Sequence, residues 1–503
     1  MVTDSTGAVV ANAGVVIKND GTGAEFKLTS GDDGTFLVPS LPLGTFTITV
    51  NAQGFKQAVV TEIKTVVDST VSVEVRLEAG AASESVTIVG GAEVLQRESA
   101  TVGSTIIGKQ ISDLPFTSRN ALDLVMNLPG TTTPGRPRTS SVNGLPQGSL
   151  NITLDGLNVQ DNLIRSGDGF FTYIRPGTDA VAEVTISTAT PGAESAGEGA
   201  VQVKFVTKSG TNQYHGNVFF EDRQPNLNAN YYFNNLAGLP RTPTRLDQYG
   251  FSVGGPITPW LKDRAFFFVN YERYRLPEST LRTPTVMTPD LAKGTFKYRK
   301  SDGSIASVDL LGLAASKGFP STRDPLIGSR LDDMVGSFAN GSLALDATDP
   351  NVARLSFINQ GGQNRYYTAS RFDFNVTSKH HVEAIWNYNA FRNVMDFLNN
   401  VDPVFPKPFP QIFGGQDSNR FGFVTALRSQ LSPTVVNEVR YGFDGGTVTF
   451  CSSGCAPGDF SAFNGLALNT PAPYSNFYNN FTRAGSWRNT PVKQLNDTVS
   501  WAK

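Results

Sequence analysis

From Tyr214 onward, polar and apolar residues alternate with a period of two. Tyr214, Gly216, Val218 and Phe220 fall on one side of an extended strand, and His215, Asn217, Glu221 and Arg223 fall on the other. The alternation returns at 371–376, where Phe372, Phe374 and Val376 oppose Arg371, Asp373 and Asn375. At 381–389, Val382, Ala384, Trp386 and Tyr388 oppose His381, Glu383, Asn387 and Asn389. At 437–444, Val439, Tyr441 and Phe443 oppose Glu438, Arg440 and Asp444. The runs 248–255 and 420–428 follow the same rule less cleanly. Such segments predict antiparallel strands. A soluble sandwich also alternates. Here, however, the polar face carries charge at successive positions, and the apolar face is heavy in Phe and Tyr. The connections are unequal too: "LSPTVV" is tight, whereas 276–365 reads as a long, weakly structured loop that sits poorly in a compact soluble domain. These features predict the wall of a membrane β-barrel.

Before Tyr214 the pattern is different. Residues 1–79 hold short β-rich runs separated by turn signals such as "NDGTG" and "GDDGT", which predict a small β-sandwich. In "TVSVEVRL", Val71, Val73, Val75 and Leu77 share the apolar face of one strand. "GAASE" at 80–84 reads as a linker. "SRNALDLVMNLPG" predicts a short helix with Ala121, Leu122, Val125 and Leu128 as its stripe and Pro129-Gly130 as its stop. Arg119 reads either as a residue of the domain's surface or as an ordinary residue of a helix start with Ser118 as its cap, and the cap is preferred. "SLNITLDGLNVQDN" and "AVAEVTISTA" predict strands, with Gly-rich loops between them.

At 503 residues the chain holds several domains. Lys and Arg total 42 and Asp and Glu 44, so the chain lacks the basic balance of a nucleic-acid binder. Charged residues make up 17%, while Gly (49) and Phe (34) are abundant, as suits a turn-rich all-β protein. No apolar run reaches the roughly 18 residues of a membrane helix. Met1 is followed at once by "VTDSTGAVV", with no basic region and no apolar stretch of a signal peptide.

The candidate chemistry is sparse. "HHVE" at 380–383 matches the letters of a zinc HxxE pair, but His380 and Glu383 fall on opposite faces of a strand. His381 and Glu383 share a face, and two ligands are too few for zinc. "DGLNVQDN" at 155–162 lacks the spacing and terminal Glu of a calcium loop, so turn chemistry is expected. Cys451 and Cys455 in "CSSGCAPG" predict a small loop disulfide. No serine elbow and no phosphate loop is present, and we expect no catalytic residue, cofactor or metal site.

Several segments together carry a family resemblance: "TDSTGAVVANAGVVI" and "TSGDDGTFLVPSLPLGTFTITVNAQGF", then "ISDLPFTSRNALDLVMNLPG", "VNGLPQGSLNITLDGLNV" and "VKFVTKSGTNQYHGNVFFEDR". Their order resembles a TonB-dependent outer-membrane transporter of the Oar-like type with an N-terminal carboxypeptidase-regulatory-like (transthyretin-like) domain. The resemblance implies a mainly β fold. A transthyretin-like β-sandwich (1–79) is followed by a linker with a TonB-box-like segment (80–95) and an α+β plug domain (96–208). The first part of a large antiparallel transmembrane β-barrel follows (209–503), incomplete against the family's about 22 strands. The signal peptide of such a protein is then missing from the sequence as given, and the expected location is the cell outer membrane.

The same resemblance assigns roles. Ser85, Val86, Thr87, Ile88 and Val89 in "ESVTIVGG" resemble the TonB box, which pairs by strand addition with periplasmic TonB. Asn143, Gly144, Asp155 and Gly156 fall in plug motifs. Thr207, Lys208, Ser209, Gly210, Thr211, Asn212, His215 and Gly216 mark the plug-to-barrel junction. Loops 131–149 and 162–178 are the expected ligand contacts. The implied function is uptake of a small molecule, oligosaccharide or peptide, energised through TonB and its inner-membrane complex, from a wall embedded in outer-membrane lipid. The alternative is a secreted or surface β-rich adhesin or carbohydrate-binding protein. The missing ligand set argues against a peptidase.

Overall fold

The computed structural model describes all residues except 39–40, 67–70, 82–83, 90–101, 109, 112–113, 115–118, 128, 134–139, 165–170, 190–199, 231, 233–234, 236–240, 242–244, 394–415, 433, 451–470, 476–485 and 502–503. Cys451 and Cys455 lie outside the described residues, as do Ser118 and parts of both expected ligand loops.

The N-terminal unit has strands β1 (Val2–Asp4), β2 (Gly14–Asn19), β3 (Glu25–Thr29), β4 (Thr45–Asn51), β5 (Gln57–Lys64), β6 (Val75–Leu77) and β7 (Ser85–Val89). One sheet runs β3-β2-β4-β5-β7, and β1 pairs with β6. Alternate residues of each layer point inward: Val15, Ile17, Phe46, Ile48, Val50, Val60, Val75 and Leu77 are buried together. Of the predicted strand "TVSVEVRL" only Val75–Leu77 forms β6, and Val71 and Val73 pack against the same core from the stretch before it. One expectation is corrected here. The linker read over 80–95 is ordered at Ser85–Val89, which forms an edge strand parallel to β5. Its run of β-branched residues, Val86, Thr87, Ile88 and Val89, suits a strand.

The second unit holds β8 (Val102–Ile107), β9 (Thr131–Thr132), β10 (Ser141–Val142), β11 (Leu150–Leu154), β12 (Leu157–Asn158), β13 (Val181–Ala189) and β14 (Val201–Thr207). Its five-stranded sheet runs β12-β11-β14-β13-β8. The helix expected near Ala121 is a 3-10 helix, Ala121–Asn127, whose Leu124 and Val125 are buried. The core of this inner sheet is not its own alone: Ile385 and Val424 of the next unit pack into it.

The third unit is one curved antiparallel wall. Its strands are β15 (His215–Arg223), β16 (Leu246–Pro256), β17 (Ala265–Arg282), β18 (Thr285–Met287), β19 (Thr295–Arg299), β20 (Ile305–Asp309), β21 (Ser342–Leu345), β22 (Val352–Asn375), β23 (His380–Asn393), β24 (Gln416–Ser432), β25 (Val435–Phe450), β26 (Ser486–Asn489) and β27 (Val492–Trp501). The order β15-β16-β17-β22-β23-β24-β25 continues with β26 and β27, both of which pair with β25. The sheet is open, with β15 at one edge of its described strands. Its burial is inverted relative to a soluble sandwich. Apolar Val218 (82% exposed), Phe220, Trp386, Leu495 and Trp501 face outward, whereas polar Asn270, Glu272 (1% exposed), Asp373, Arg420 and Asp444 face inward and are buried. That is the pattern a lipid-facing wall requires, and each strand between the edges pairs on both sides with its neighbours.

A second expectation is corrected. The stretch 276–365 is not weakly structured. β17 and β22 pair over the whole of Ala265–Arg282, about 60 Å at about 3.3 Å per residue, well beyond the apolar band. On this extension sits an insert. β18 and β21 pair with β22, β19 pairs with β20, and helices Pro289–Ala292, Leu310–Ser316 and Pro325–Ser337 complete it. Val286, Met334, Phe338, Ala353, Leu355 and Phe357 form its own core.

Candidate functional site

The candidate functional site is the polar face along which the wall holds the inner sheet. Three clusters of side chains tie the two together.

The first centres on Arg119. Its guanidinium lies 2.6 Å from Asp179, 2.7 Å from Glu221 and 3.7 Å from Glu272, and covers the ring of Phe219. Asp179 belongs to the inner unit, whereas Phe219, Glu221 and Glu272 are on β15 and β17. By sequence, Arg119 reads as a surface residue or, by preference, as part of an ordinary helix start. Its partners are distant in sequence, so no local signal pointed to them.

The second centres on Asp155. Asp155 and Gly156, at φ 52 and φ 80, form the two-residue turn between β11 and β12, the Asp-Gly hairpin chemistry of a type I′ turn. The Asp155 carboxylate accepts from the Thr207 amide (2.8 Å) and hydroxyl (2.6 Å), and its carbonyl accepts from Arg440 (2.8 Å). Burial pushes the Asp155 carboxyl above its ordinary range, against the pull of Arg371 and the Thr207 hydrogen bonds. Arg371 donates to the Thr207 carbonyl and forms ion pairs with Asp373 (2.9 Å) and Glu383 (2.8 Å), and Arg440 reaches Glu383 at 2.6 Å. His381 joins Asp373 at 3.4 Å.

The structure thus adds a third potential ligand, Asp373, to His381 and Glu383, all three within 4.8 Å of one another. Two guanidinium groups already neutralise both carboxylates, so the arrangement is that of an ion-pair network tying the wall to the Asp-Gly turn.

The third cluster lies towards the long connections. Asp161 accepts from the Tyr173 hydroxyl at 2.9 Å and pairs with Arg488 at 3.3 Å. Arg420 stacks 4.3 Å above the Tyr173 ring. These residues belong to or flank the expected ligand loop 162–178.

The other sequence-named residues are dispersed. Asn143 and Gly144, at φ 51 and φ 68, make the turn after β10, where the Asn143 amide donates to Gly130 (2.7 Å). Thr207 ends β14, and the Lys208 amide donates to Ala180 (2.9 Å). Burial lowers the Lys208 ammonium. Ser209 and Gly210 carry the chain beneath the wall, so close that a Cβ on Gly210 would sit 2.4 Å from the Phe267 carbonyl. Thr211 and Asn212 touch the N-terminal unit through an Asn212 amide bond to Gly21 (2.8 Å). His215 and Gly216 open β15, with the exposed His215 ring bonded to the Gln213 carbonyl (3.0 Å). Ser85, Val86, Thr87, Ile88 and Val89 lie apart from these clusters, on the edge of the N-terminal sheet.

Comparison with known proteins follows the same division. A family model described as an outer membrane beta barrel domain matches residues 206–503, and one described as a carboxypeptidase regulatory-like domain matches residues 1–78. The chain is 25% identical over 348 residues to the TonB-dependent transporter Oar of Myxococcus xanthus, which covers 66% of this chain and 31% of the relative. The chain thus spans about a third of the length of the curated relative that it matches. Among solved structures, the outer membrane transporter YddB of Escherichia coli is similar at 12% identity and a TM-score of 0.44, over 69% of this chain and 39% of that one. A mutant of the ferric enterobactin receptor PfeA of Pseudomonas aeruginosa, in complex with enterobactin, matches at 10% identity and a TM-score of 0.42, over 79% of this chain and 46% of that one.

Proposed function

Because the chain belongs to the outer membrane β-barrel domain family, which places it in the outer membrane, we propose that it acts in TonB-dependent uptake. In this reading the inner sheet is the plug, the inward polar face is the barrel lumen, and Ser85–Val89 is the segment that TonB engages. Substrate (a small molecule, an oligosaccharide or a peptide) binds from the side of the long connections. TonB then pulls, the ion-pair clusters yield, and substrate passes inward without covalent chemistry.

The observation that carries this reading is the occupied polar face. Arg371, Arg420 and Arg440 of the wall donate to the carbonyls of Thr207, Tyr173 and Asp155 of the inner sheet and its loops, as expected of a lumen filled by a removable plug. Ionic and hydrogen-bonded contacts suit removal better than an apolar core, because water replaces them at little cost once it enters.

The test is uptake of labelled siderophore, oligosaccharide and peptide pools by cells carrying the gene. Accumulation should cease when TonB is deleted or when Ser85–Val89 is removed, with the protein still present in the outer membrane. Accumulation that persists without TonB, or a protein recovered from culture fluid in plain buffer, would sink the reading and favour a surface-binding protein.

A further inference from the structure

We infer that the open edge of β7 is the docking edge for the coupling partner, which adds to the N-terminal sheet as a further strand while β7 stays paired with β5. This rests on the reading of Ser85–Val89 as the segment that TonB engages.

The segment is not free. It lies parallel to β5 in the register Gln57↔Ser85 through Thr61↔Val89. The Gln57 amide donates to the Glu84 carbonyl at 2.9 Å. The Lys56 ammonium lies 3.0 Å from Glu84 and 3.7 Å from Glu78, so an ion pair holds the approach to the strand. Backbone direction alternates along a strand. Since Glu84 turns its carbonyl to β5, so do Val86 and Ile88. Ser85, Thr87 and Val89 therefore turn their N–H and C=O groups to the outer edge. Among the described residues β7 pairs with β5 alone, so those groups are available for pairing. Unpaired edge groups on an ordered strand are a template for an incoming strand. Ser85, Thr87 and Ile88 are exposed and uncharged, so the edge fits an extended, uncharged segment rather than an acidic or basic one. The partner also meets a strand that is ordered already, which removes one cost of binding.

Addition at this edge gives the N-terminal unit a mechanical role. That unit sits against the wall: the Asn212 amide donates to the Gly21 carbonyl at 2.8 Å, and the Arg428 guanidinium lies 5.6 Å from the Phe26 ring centre. Between it, the inner sheet and the wall is a cavity of about 2250 Å³, lined among others by Lys27, Asn151, Asp155, Arg371 and His380. A pull on the added strand passes through β7 and β5 into the whole sandwich. The sandwich then leaves the Asn212 and Arg428 contacts before the inner sheet is loaded, and the cavity opens.

The experiment measures binding of the purified periplasmic domain of TonB to the full chain in detergent, in a background carrying Cys451→Ser and Cys455→Ser. Thr87→Pro removes an outward N–H and no ladder bond to β5, as proline requires at a tolerated edge position. Gln57→Cys with Ser85→Cys joins two register partners, so oxidation fixes β7 on β5. We expect Thr87→Pro to weaken binding at least tenfold, and the oxidised lock to bind within about twofold of its reduced form. If oxidation abolishes binding and reduction restores it, β7 must leave the sheet and the inference fails while the coupling reading stands. If Thr87→Pro binds as tightly as the parent, the edge is not used. If the parent chain binds no TonB, or if β7 proves to pair with a second copy of this chain, the inference falls together with the coupling reading.

Discussion

The guanidinium of Arg119 lies 3.7 Å from the centre of the Phe219 ring. An inner-unit cation thus covers an aromatic face on the first wall strand, and the same side chain forms ion pairs with Asp179 and Glu221. Glu272, 1% exposed, is 3.7 Å away. Arg119→Ala leaves these carboxylates without their shared cation. The loss is expected to be about 3–5 kcal/mol, the cost of breaking a largely buried pair from one side. Arg119→Lys keeps the charge, loses the planar fork and recovers only part of it. Urea unfolding of the protein in detergent, followed by tryptophan fluorescence, checks the order parent, lysine, alanine.

Gly422 and Gly442 lie where the inner unit meets the wall most closely. A Cβ on Gly422 would sit 2.4 Å from Cδ1 of Ile174, and one on Gly442 would sit 2.7 Å from Cδ1 of Leu157. Ile174 and Leu157 are buried core residues that cannot swing aside. Gly422→Ala and Gly442→Ala should each cost about 1–3 kcal/mol by overpacking. Both changes should also expose the inner unit to protease. A gain in stability from either, the result expected where a glycine faces open space, would show that the two units are not in contact there.

These glycines also explain where the sequence was hard to read. The outward face was legible from alternation alone, since Phe372, Phe374, Trp386 and Tyr441 all proved exposed. The runs 248–255 and 420–428 looked less clean because their inward positions include Gly250, Gly254, Gly422, Val424 and Ala426; Val424 packs into the inner unit's core, and at Gly422 the inner unit's Ile174 leaves no room for a side chain. The Asp155–Gly156 turn was visible as local chemistry. Its ties to Arg371 and Arg440 were not, because they join residues more than 200 positions apart, and period-two patterning shows only that such residues point inward. The insert was missed for another reason. Its strands are short, and two of them depend on the extended end of β22, so the stretch carried no long period to detect.

Asp155 offers a pH test. Its folded-state carboxyl titrates above the ordinary value of 3.8, because burial outweighs Arg371 and the Thr207 hydrogen bonds. The folded protein therefore retains a proton that the unfolded chain has released. The resulting stabilisation is present in full below about pH 3.8 and fades as pH rises through the folded-state value. Asp155→Asn keeps the shape, tolerates the left-handed backbone of φ 52, and cannot titrate. The parent should therefore lose stability relative to Asp155→Asn as pH rises through the folded-state value. A difference that grows in the opposite direction would show that the Arg371 attraction prevails over burial.

The insert should unfold by itself. Its core is separate from both the wall and the inner unit, with Phe338 and Leu355 packed beside Met334 and Val286. Leu355→Ala removes a fully buried side chain and should cost about 2–5 kcal/mol. Leu355 lies in β22 beyond the part that pairs with β17, opposite Leu343 of β21, so the loss should remain local. Limited proteolysis of the variant should cut between residues 285 and 357 and leave the rest of the wall intact. The Arg119 cluster lies on β15 and β17 and shares none of these contacts, so combining Leu355→Ala with Arg119→Ala should give additive losses. Cleavage that spreads through the wall strands, or a strongly non-additive double variant, would show that insert and wall fold as one unit.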